Sequence, residues 1–227
     1  MAKFIKIYLI GLIAPALLML TGCVYFNTMY NANEAYDEGY ALYREEQRKG
    51  GNTTTNQSRE QFRRAVDKGK KIIAEHPDSK YVDDAYMMVG KSYYYLKQYS
   101  LAKNFLEDLN ENFPDSPLLA EGRLFLGRSY METEDYSLAR YHLESLAEGN
   151  FENSLRAQAY LGLADLSRME SNPEAMLSAV QSAIKLAEDN ELKADAAWRT
   201  ALWAIETGNY DEAKEYYRQA SEFTRKP

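Results

Sequence analysis

The sequence predicts an all-α fold in which helix–turn–helix repeats stack into a solenoid. The first observation is a period, because alanines, all but one of them preceded by an aromatic residue, recur every 36 to 38 residues. A period between about 20 and 50 residues is typical of solenoids. The second is composition, because 19 tyrosines stand against 12 glycines and 6 prolines. Long apolar side chains are therefore plentiful and helix breakers few.

The period is marked by five alanines, which are Ala65, Ala102, Ala139, Ala175 and Ala213. The second, third and fifth follow a tyrosine by three positions, and the first follows Phe62. The fourth has Asn172 where the aromatic residue should stand. The intervals of 37, 37, 36 and 38 residues predict about five repeats between residues 30 and 225.

One repeat can be divided into its elements from the sequence. Asp83–Leu96 carries apolar residues at helical spacing, which predicts a first helix. Lys97 and Gln98 form the turn, and Leu101–Phe113 is the second helix. Pro114 ends that helix, as prolines do just beyond a helix terminus.

The other repeats depart from this pattern. In the first, an opening helix at Asn33–Glu46 is followed by a polar loop near residues 48–58 that includes Gly50–Gln57. In the fourth, Gly162 keeps the small position, and Asn172 and Pro173 start the second helix.

These features resemble the tetratricopeptide repeat (TPR) family. One repeat supplies its motif with Tyr86, Gly90, Tyr93, Tyr99, Ala102 and Pro114, and the next with Leu126, Gly127, Tyr130, Tyr136 and Ala139. The resemblance implies a TPR-type α-solenoid, a right-handed superhelix. The small glycines and alanines let two helices approach closely while the tyrosines fill the space around them.

The first 23 residues resemble the leader of a bacterial lipoprotein. Lys3 and Lys6 precede Ile7–Leu20, a 14-residue uncharged run that is short for a membrane span. Leu20-Thr21-Gly22-Cys23 then resembles a lipobox. The resemblance implies cleavage before Cys23, a diacylglycerol on its sulfur and an acyl chain on its amine. No other cofactor is expected.

The predicted domains are a signal peptide at residues 1–22, a lipid anchor and aromatic lead-in at 23–31, and the solenoid at 32–227. The lead-in either packs on the first repeat, lies at the membrane interface or meets a partner. Val24 stands where proteobacterial lipoproteins held in the inner membrane commonly have Asp. Its presence favours the periplasmic face of the outer membrane.

Lipobox and repeats together resemble the outer-membrane assembly lipoproteins (BamD/YfiO-like). The corners at His76–Ser79 and Phe113–Ser116 are typical of that family. The resemblance implies a lipid-anchored periplasmic scaffold whose protein partners belong to an outer-membrane β-barrel assembly complex. The alternative is a TPR lipoprotein of another envelope system, such as peptidoglycan or division coordination, secretion or motility.

Composition argues against other function classes. Without Lys3 and Lys6 the chain keeps 25 basic and 34 acidic side chains, a net charge of −9, which disfavours nucleic-acid binding. One cysteine and two histidines without a second ligand at metal spacing disfavour a metal site. No nucleophile and base stand together, so the sequence predicts a protein that is not an enzyme.

A candidate peptide-binding groove follows from the repeat. First helices of TPR units line a concave face, and the positions one turn from the packing stripe are Met87, Lys91, Tyr94, Leu124, Arg128 and Met131. Two cations one repeat apart suit a peptide carboxylate, while tyrosine and methionine add adaptable apolar contacts. The alternative is an ordinary solvated face.

The last helix carries aromatic residues where a terminal repeat needs a polar surface. These are Tyr216, Tyr217 and Phe223. The sequence therefore indicates that another protein covers part of this end of the solenoid.

Overall fold

The computed structural model describes residues 27–47, 49 and 54–225. Helix α1 covers residues 27–47. It is followed by α2 (Asn56–Glu75), α3 (Val82–Tyr95), α4 (Tyr99–Asn112), α5 (Leu119–Glu132), α6 (Tyr136–Glu148), α7 (Asn153–Met169), α8 (Pro173–Leu186), α9 (Asn190–Glu206) and α10 (Tyr210–Arg225). The predicted all-α fold of about five helix–turn–helix repeats is confirmed.

The chain divides into two compact units, Met1–Phe105 and Leu106–Pro227. In the first, α2 packs against α3. In the second, α5 pairs with α6, α7 with α8, and α9 with α10. There each new first helix also contacts both helices of the repeat before it, so α7 lies on α5 and α6, and α9 lies on α7 and α8.

The turn between the two helices of a repeat recurs with a period of 37 residues. Lys97, Glu134, Ser171 and Gly208 have φ of 60°, 62°, 58° and 79°. In each turn the next N–H donates to the carbonyl five residues back, from Gln98 to Tyr93 in one repeat and Asp135 to Tyr130 in the next, both at 2.9 Å. This is the Schellman arrangement, which satisfies carbonyls at the helix end. The predicted turn at residues 97 and 98 lies here.

The corners between repeats are also built alike. The N–H of Ser79 donates to the carbonyl of His76 at 3.1 Å, and the N–H of Ser116 donates to that of Phe113 at 3.0 Å. Each serine hydroxyl then accepts from a backbone N–H two residues later, at 3.4 Å from Tyr81 and 3.2 Å from Leu118. The two sequence corners therefore position successive first helices in the same way.

The first repeat begins earlier and closes its loop sooner than predicted. Residue 27 is already helical, and Met29, from the predicted lead-in, is buried in an apolar cluster with Ala32, Ala65 and Ile72. The described part of the lead-in thus packs on the first repeat. The loop ends at Thr55, whose hydroxyl caps α2 by accepting from the N–H of Ser58 at 3.2 Å.

Two expectations for the fourth repeat were wrong by one or two residues. Met176, one 37-residue period after Ala139, is buried, whereas Ala175 is only half-buried. Gly162 does not occupy the place of Gly127. A Cβ on Gly162 would lie 2.9 Å from Leu143 Cδ2, so this glycine faces the second helix of the preceding repeat.

Leu143 of α6 is the side chain around which two repeats close. It is fully buried, and a Cβ on Gly127 of α5 would lie 2.8 Å from its Cγ. The same leucine also contacts Gly162 of α7, where an added Cβ would lie 2.9 Å from Cδ2. Neither helix could approach it as closely with a larger residue at these positions.

Changes at the recurring turn should alter stability through backbone strain alone. Gly208→Ala should lower the free energy of unfolding by about 1 kcal/mol, because L residues are strained at positive φ and an added Cβ has no neighbour within 4 Å. Glu134→Gly should raise it by roughly 0.5 kcal/mol. Urea denaturation measures both. The control Glu132→Gly, at a helical position of α5, should instead lower the free energy of unfolding. Equal effects of glycine at positions 132 and 134 would contradict backbone strain at Glu134.

A double-mutant cycle tests the contact between Gly162 and Leu143. Gly162→Ala should destabilise the wild-type protein by about 1 kcal/mol, because overpacking outweighs the helix-propensity gain. With Leu143→Ala the space is open, so the same change should stabilise by up to about 1 kcal/mol. The measurement is unfolding free energy of all four proteins. Identical effects of Gly162→Ala in both backgrounds would show that the two residues do not meet.

Candidate peptide-binding site

The six residues predicted to line a groove divide into two classes. Lys91, Tyr94 and Arg128 are half-buried and reach solvent. The other three, which are Met87, Leu124 and Met131, are buried. These three pack within the chain and do not present an open surface. Binding by the first three stays a prediction.

In the first unit, Lys91 and Tyr94 belong to an aromatic cluster. Lys91 Nζ lies 4.9 Å from the ring centre of Tyr36, a cation–π distance. The ring of Tyr94 meets Tyr95 edge-on at 5.5 Å and Tyr99 at 5.6 Å. Tyr43 of α1 lies 5.0 Å from Tyr95. The first helices α1 and α3 thus offer an aromatic surface with one cation packed on a ring.

In the second unit, Arg128 connects two successive first helices. Its guanidinium lies 5.6 Å from the ring centre of Phe125 on its own helix, and Nη2 donates to Gln158 Oε1 of α7 at 3.5 Å. Arg128 is therefore held by neighbours in α5 and α7.

The predicted groove positions continue into the later repeats. One period after Leu124, Arg128 and Met131 stand Leu161, Asp165 and Arg168 of α7. A further period leads to Trp198, Leu202 and Ile205 of α9. Four of these six residues, which are Leu161, Asp165, Arg168 and Leu202, line a pocket between α7, α8 and α9. When the predicted groove positions are extended by 37-residue steps, they therefore reach a cavity one repeat after the predicted residues.

This pocket has an apolar floor and a volume of about 140 Å³. Leu161 and Ala164 come from α7, Met176 and Val180 from α8, and Trp203 forms part of the wall from α9. A cavity of about 150 Å³ lined by apolar side chains holds a molecule the size of benzene. The pocket therefore has room for one aromatic or branched aliphatic side chain.

Two ion pairs stand at the polar side of the pocket. Arg199 Nη1 lies 2.6 Å from Asp165 Oδ2, and Arg168 Nη1 lies 3.4 Å from Glu206 Oε2. Both pairs join α7 to α9. Because all four side chains keep solvent access, each pair contributes at most about 1 kcal/mol to stability. All four side chains belong to the pocket lining, so charged groups stand beside its apolar residues.

The pocket lacks an activated nucleophile. The hydroxyl in the pocket lining belongs to Thr200, and its Oγ1 donates to the carbonyl of Ala196 at 3.0 Å within α9. The arrangement can exclude water around an apolar side chain and hydrogen-bond its flanks, which are the requirements for recognition.

His142 and Tyr130, which both have shifted pKa values, lie in a packing cluster of the second unit. His142 stacks on Tyr130 with ring centres 5.5 Å apart, and burial followed by the charge of Arg123 lowers its pKa. Burial and a hydrogen bond to Glu107 raise the pKa of the Tyr130 hydroxyl. Within residues 27–47, 49 and 54–225, no group of three metal-ligating side chains occurs.

Sequence reasoning did not single out the pocket, although its register was available. The signal was periodicity, because Asp165 and Leu202 continue the positions of Lys91 and Arg128 at 37-residue steps. The period alone could not show that Leu124 is buried in its repeat. Nor could it show that the following repeats leave a cavity beside Trp203.

Two segments match family models of the tetratricopeptide repeat. Residues 84–116 match one model and residues 201–227 match another. The chain carries TPR repeats. The first segment contains α4 and most of α3, and the second contains the end of α9 and all of α10. No curated protein matches the sequence.

Solved structures of TPR-type proteins share the fold. MamA has 20% sequence identity and a TM-score of 0.56, covering 74% of this chain and 92% of MamA. MamA from Desulfovibrio magneticus RS-1 has 16% identity and a TM-score of 0.56, covering 86% of this chain and 96% of the other. The apo quorum sensor NprR from B. thuringiensis has 15% identity and a TM-score of 0.63, covering 75% of this chain and 51% of NprR. TPR folds of this kind indicate protein partners.

The predicted anchor lies outside the described residues. Cys23 and the leader at residues 1–22 both precede residue 27, where the description begins. From residue 27 onward, none of the described helices combines the length and hydropathy that crossing a bilayer requires.

Proposed function

We propose that this chain is a non-enzymatic scaffold that binds an extended segment of a partner protein along the first helices of its second unit. One apolar side chain of that segment enters the pocket between α7, α8 and α9. The observation that carries the proposal is the pocket itself, with its apolar floor at Leu161, Ala164 and Val180 beside paired charges.

The chemistry of the pocket favours a polypeptide over a small metabolite. One side chain fills the floor, and the flanking amides of an extended chain can exchange hydrogen bonds with Asp165, Arg199 and Glu206. Trp203 adds a large aromatic contact of the type that dominates binding energy at interfaces.

Filling the pocket should remove binding without unfolding the protein. Ala164→Leu projects an isobutyl group into the pocket, and Ala41→Leu, on the exposed face of α1, is the matched control. Partner recovery from solubilised membranes should fall at least tenfold for Ala164→Leu and stay unchanged for Ala41→Leu. Equal recovery by both variants, with helical circular dichroism intact, would exclude the pocket as the binding site.

We further propose that the scaffold is a lipoprotein of the outer membrane, facing the periplasm, and that it serves assembly of β-barrel proteins. Support comes from the lipobox-like Leu20-Thr21-Gly22-Cys23, from Val24 and from the two corners. Three acyl chains would anchor the protein stably, since two already suffice. Recovery of a barrel-assembly protein with the wild type supports this role. Recovery of a cell-wall or secretion component supports the alternative envelope function.

The anchor can be tested at Cys23. The wild type should incorporate a labelled fatty acid and sediment with membranes, whereas Cys23→Ala should incorporate none, because the acceptor sulfur is lost. A matched form, with an ordinary secretory leader joined directly to Val24, should be a soluble and folded helical protein. The anchor would be refuted by a wild-type chain that keeps residues 1–22 and is held in the membrane through them.

A further inference from the structure

The pocket between α7, α8 and α9 lies where the preceding interface has the contact between Gly162 and Leu143. There a Cβ on the glycine would lie 2.9 Å from leucine Cδ2. One period later, Arg199 of α9 takes the place of the glycine and Val180 of α8 takes the place of the leucine. Both of these residues line the pocket. This interface therefore has a long cationic side chain and a shorter apolar one where the preceding interface is closed.

Two carboxylates hold the guanidinium of Arg199 through its N–H groups. Nη1 lies 2.6 Å from Asp165 Oδ2 of α7, and Nε donates to Asp195 Oδ2 of α9 at 3.0 Å. These bonds use the edge of the planar group, whereas an arginine contacts an aromatic ring through its face. The chain contains such a contact at Arg128, whose guanidinium carbon lies 5.6 Å from the ring centre of Phe125. Arg199 thus brings to the pocket a cation that favours an aromatic group over an aliphatic one.

Met176 brings a sulfur atom to the pocket at a position that is small in other repeats. At 37-residue steps, the equivalent residues are Ala102, Ala139 and Ala213. Met176 lines the pocket and is almost fully buried. A thioether makes favourable contacts with aromatic rings, and the unbranched methionine chain adapts to the group that it meets.

Trp203 and the size of the pocket agree with the same kind of occupant. The indole in the pocket wall can meet a second ring edge-to-face or offset, which stabilises an aromatic pair beyond the burial of its surface. The volume of about 140 Å³ is close to that of a cavity that holds benzene. The pocket therefore matches one six-membered ring.

We propose that the side chain received by this pocket is aromatic, a phenylalanine or tyrosine of the partner's extended segment. The inference rests on the proposed function, because it names the residue that the pocket takes from that segment. Arg199, Met176 and Trp203 each make with a ring a contact that leucine, isoleucine or valine does not offer. Met176 is the specificity-determining residue, since its sulfur stands where the other repeats have alanine.

Selection of peptides on the full chain tests which side chain the pocket takes. Random peptides displayed on phage are selected on the wild-type protein in lipid nanodiscs, and phage that also bind the Ala164→Leu protein are discarded. Alanine scanning of a selected peptide then finds its anchor, the residue whose loss weakens binding to the wild type at least tenfold. The expected anchor is phenylalanine or tyrosine.

Synthetic replacements of the anchor separate aromatic contacts from apolar burial. Cyclohexylalanine is at least as apolar as phenylalanine but has no π system, so it should bind about fivefold more weakly. Met176→Leu keeps the side-chain volume and removes the sulfur, and it should reduce this preference for phenylalanine about threefold. The matched control is Met169→Leu, at an exposed position of α7 outside the pocket lining, which should leave the preference unchanged.

The outcomes distinguish this inference from the proposed function. A leucine, isoleucine or valine anchor, or a cyclohexylalanine peptide that binds as tightly as the phenylalanine peptide, overturns the aromatic preference and leaves peptide binding in the pocket intact. Equal effects of Met176→Leu and Met169→Leu overturn the role of the sulfur. If no selected peptide distinguishes the wild type from a folded Ala164→Leu protein, the proposed function fails and this inference fails with it.

Discussion

Close approach of helices around a few small residues is the constraint on which the stacking of repeats depends. Leu143 is held between Gly127 and Gly162, so α5, α6 and α7 meet at one buried side chain. Because interiors pack at near-crystalline density, an added methyl group at either glycine must displace the leucine. At this interface α7 lies on both α5 and α6, and the short contact at Leu143 allows that close approach.

The turn with positive φ connects the two helices within each repeat and is the second recurring feature of the fold. It reverses the chain at Lys97, Glu134, Ser171 and Gly208 with the same hydrogen bonds, although only the last is glycine. A repeating backbone geometry thus survives large changes in sequence. It also places corresponding first-helix residues at a constant interval of 37 residues along the sequence.

Exposed apolar positions and the pocket occur where the repeats stop being equivalent. Internal repeats bury Leu124 and Leu143, whereas α9 and α10 leave Trp198 and Tyr217 exposed. The pocket beside Trp203 similarly occurs where α8 and α9 leave a gap against α7. The proposed binding pocket therefore lies where the packing of one repeat on the next departs from the packing that buries the equivalent positions elsewhere.

The sequence by itself determined the helical class, the number of repeats and the position of their turns, because the 37-residue period and helix punctuation are local patterns. It also predicted the start of α8 at Asn172 and Pro173, whose cap is seen in the hydrogen bond from Ala175 to Asn172 Oδ1. Only the tertiary structure decided that Gly162 faces the preceding repeat and that Met87, Leu124 and Met131 are buried. The reason is that burial depends on which helix arrives from the neighbouring repeat, and the spacing of residues along one helix does not specify that contact.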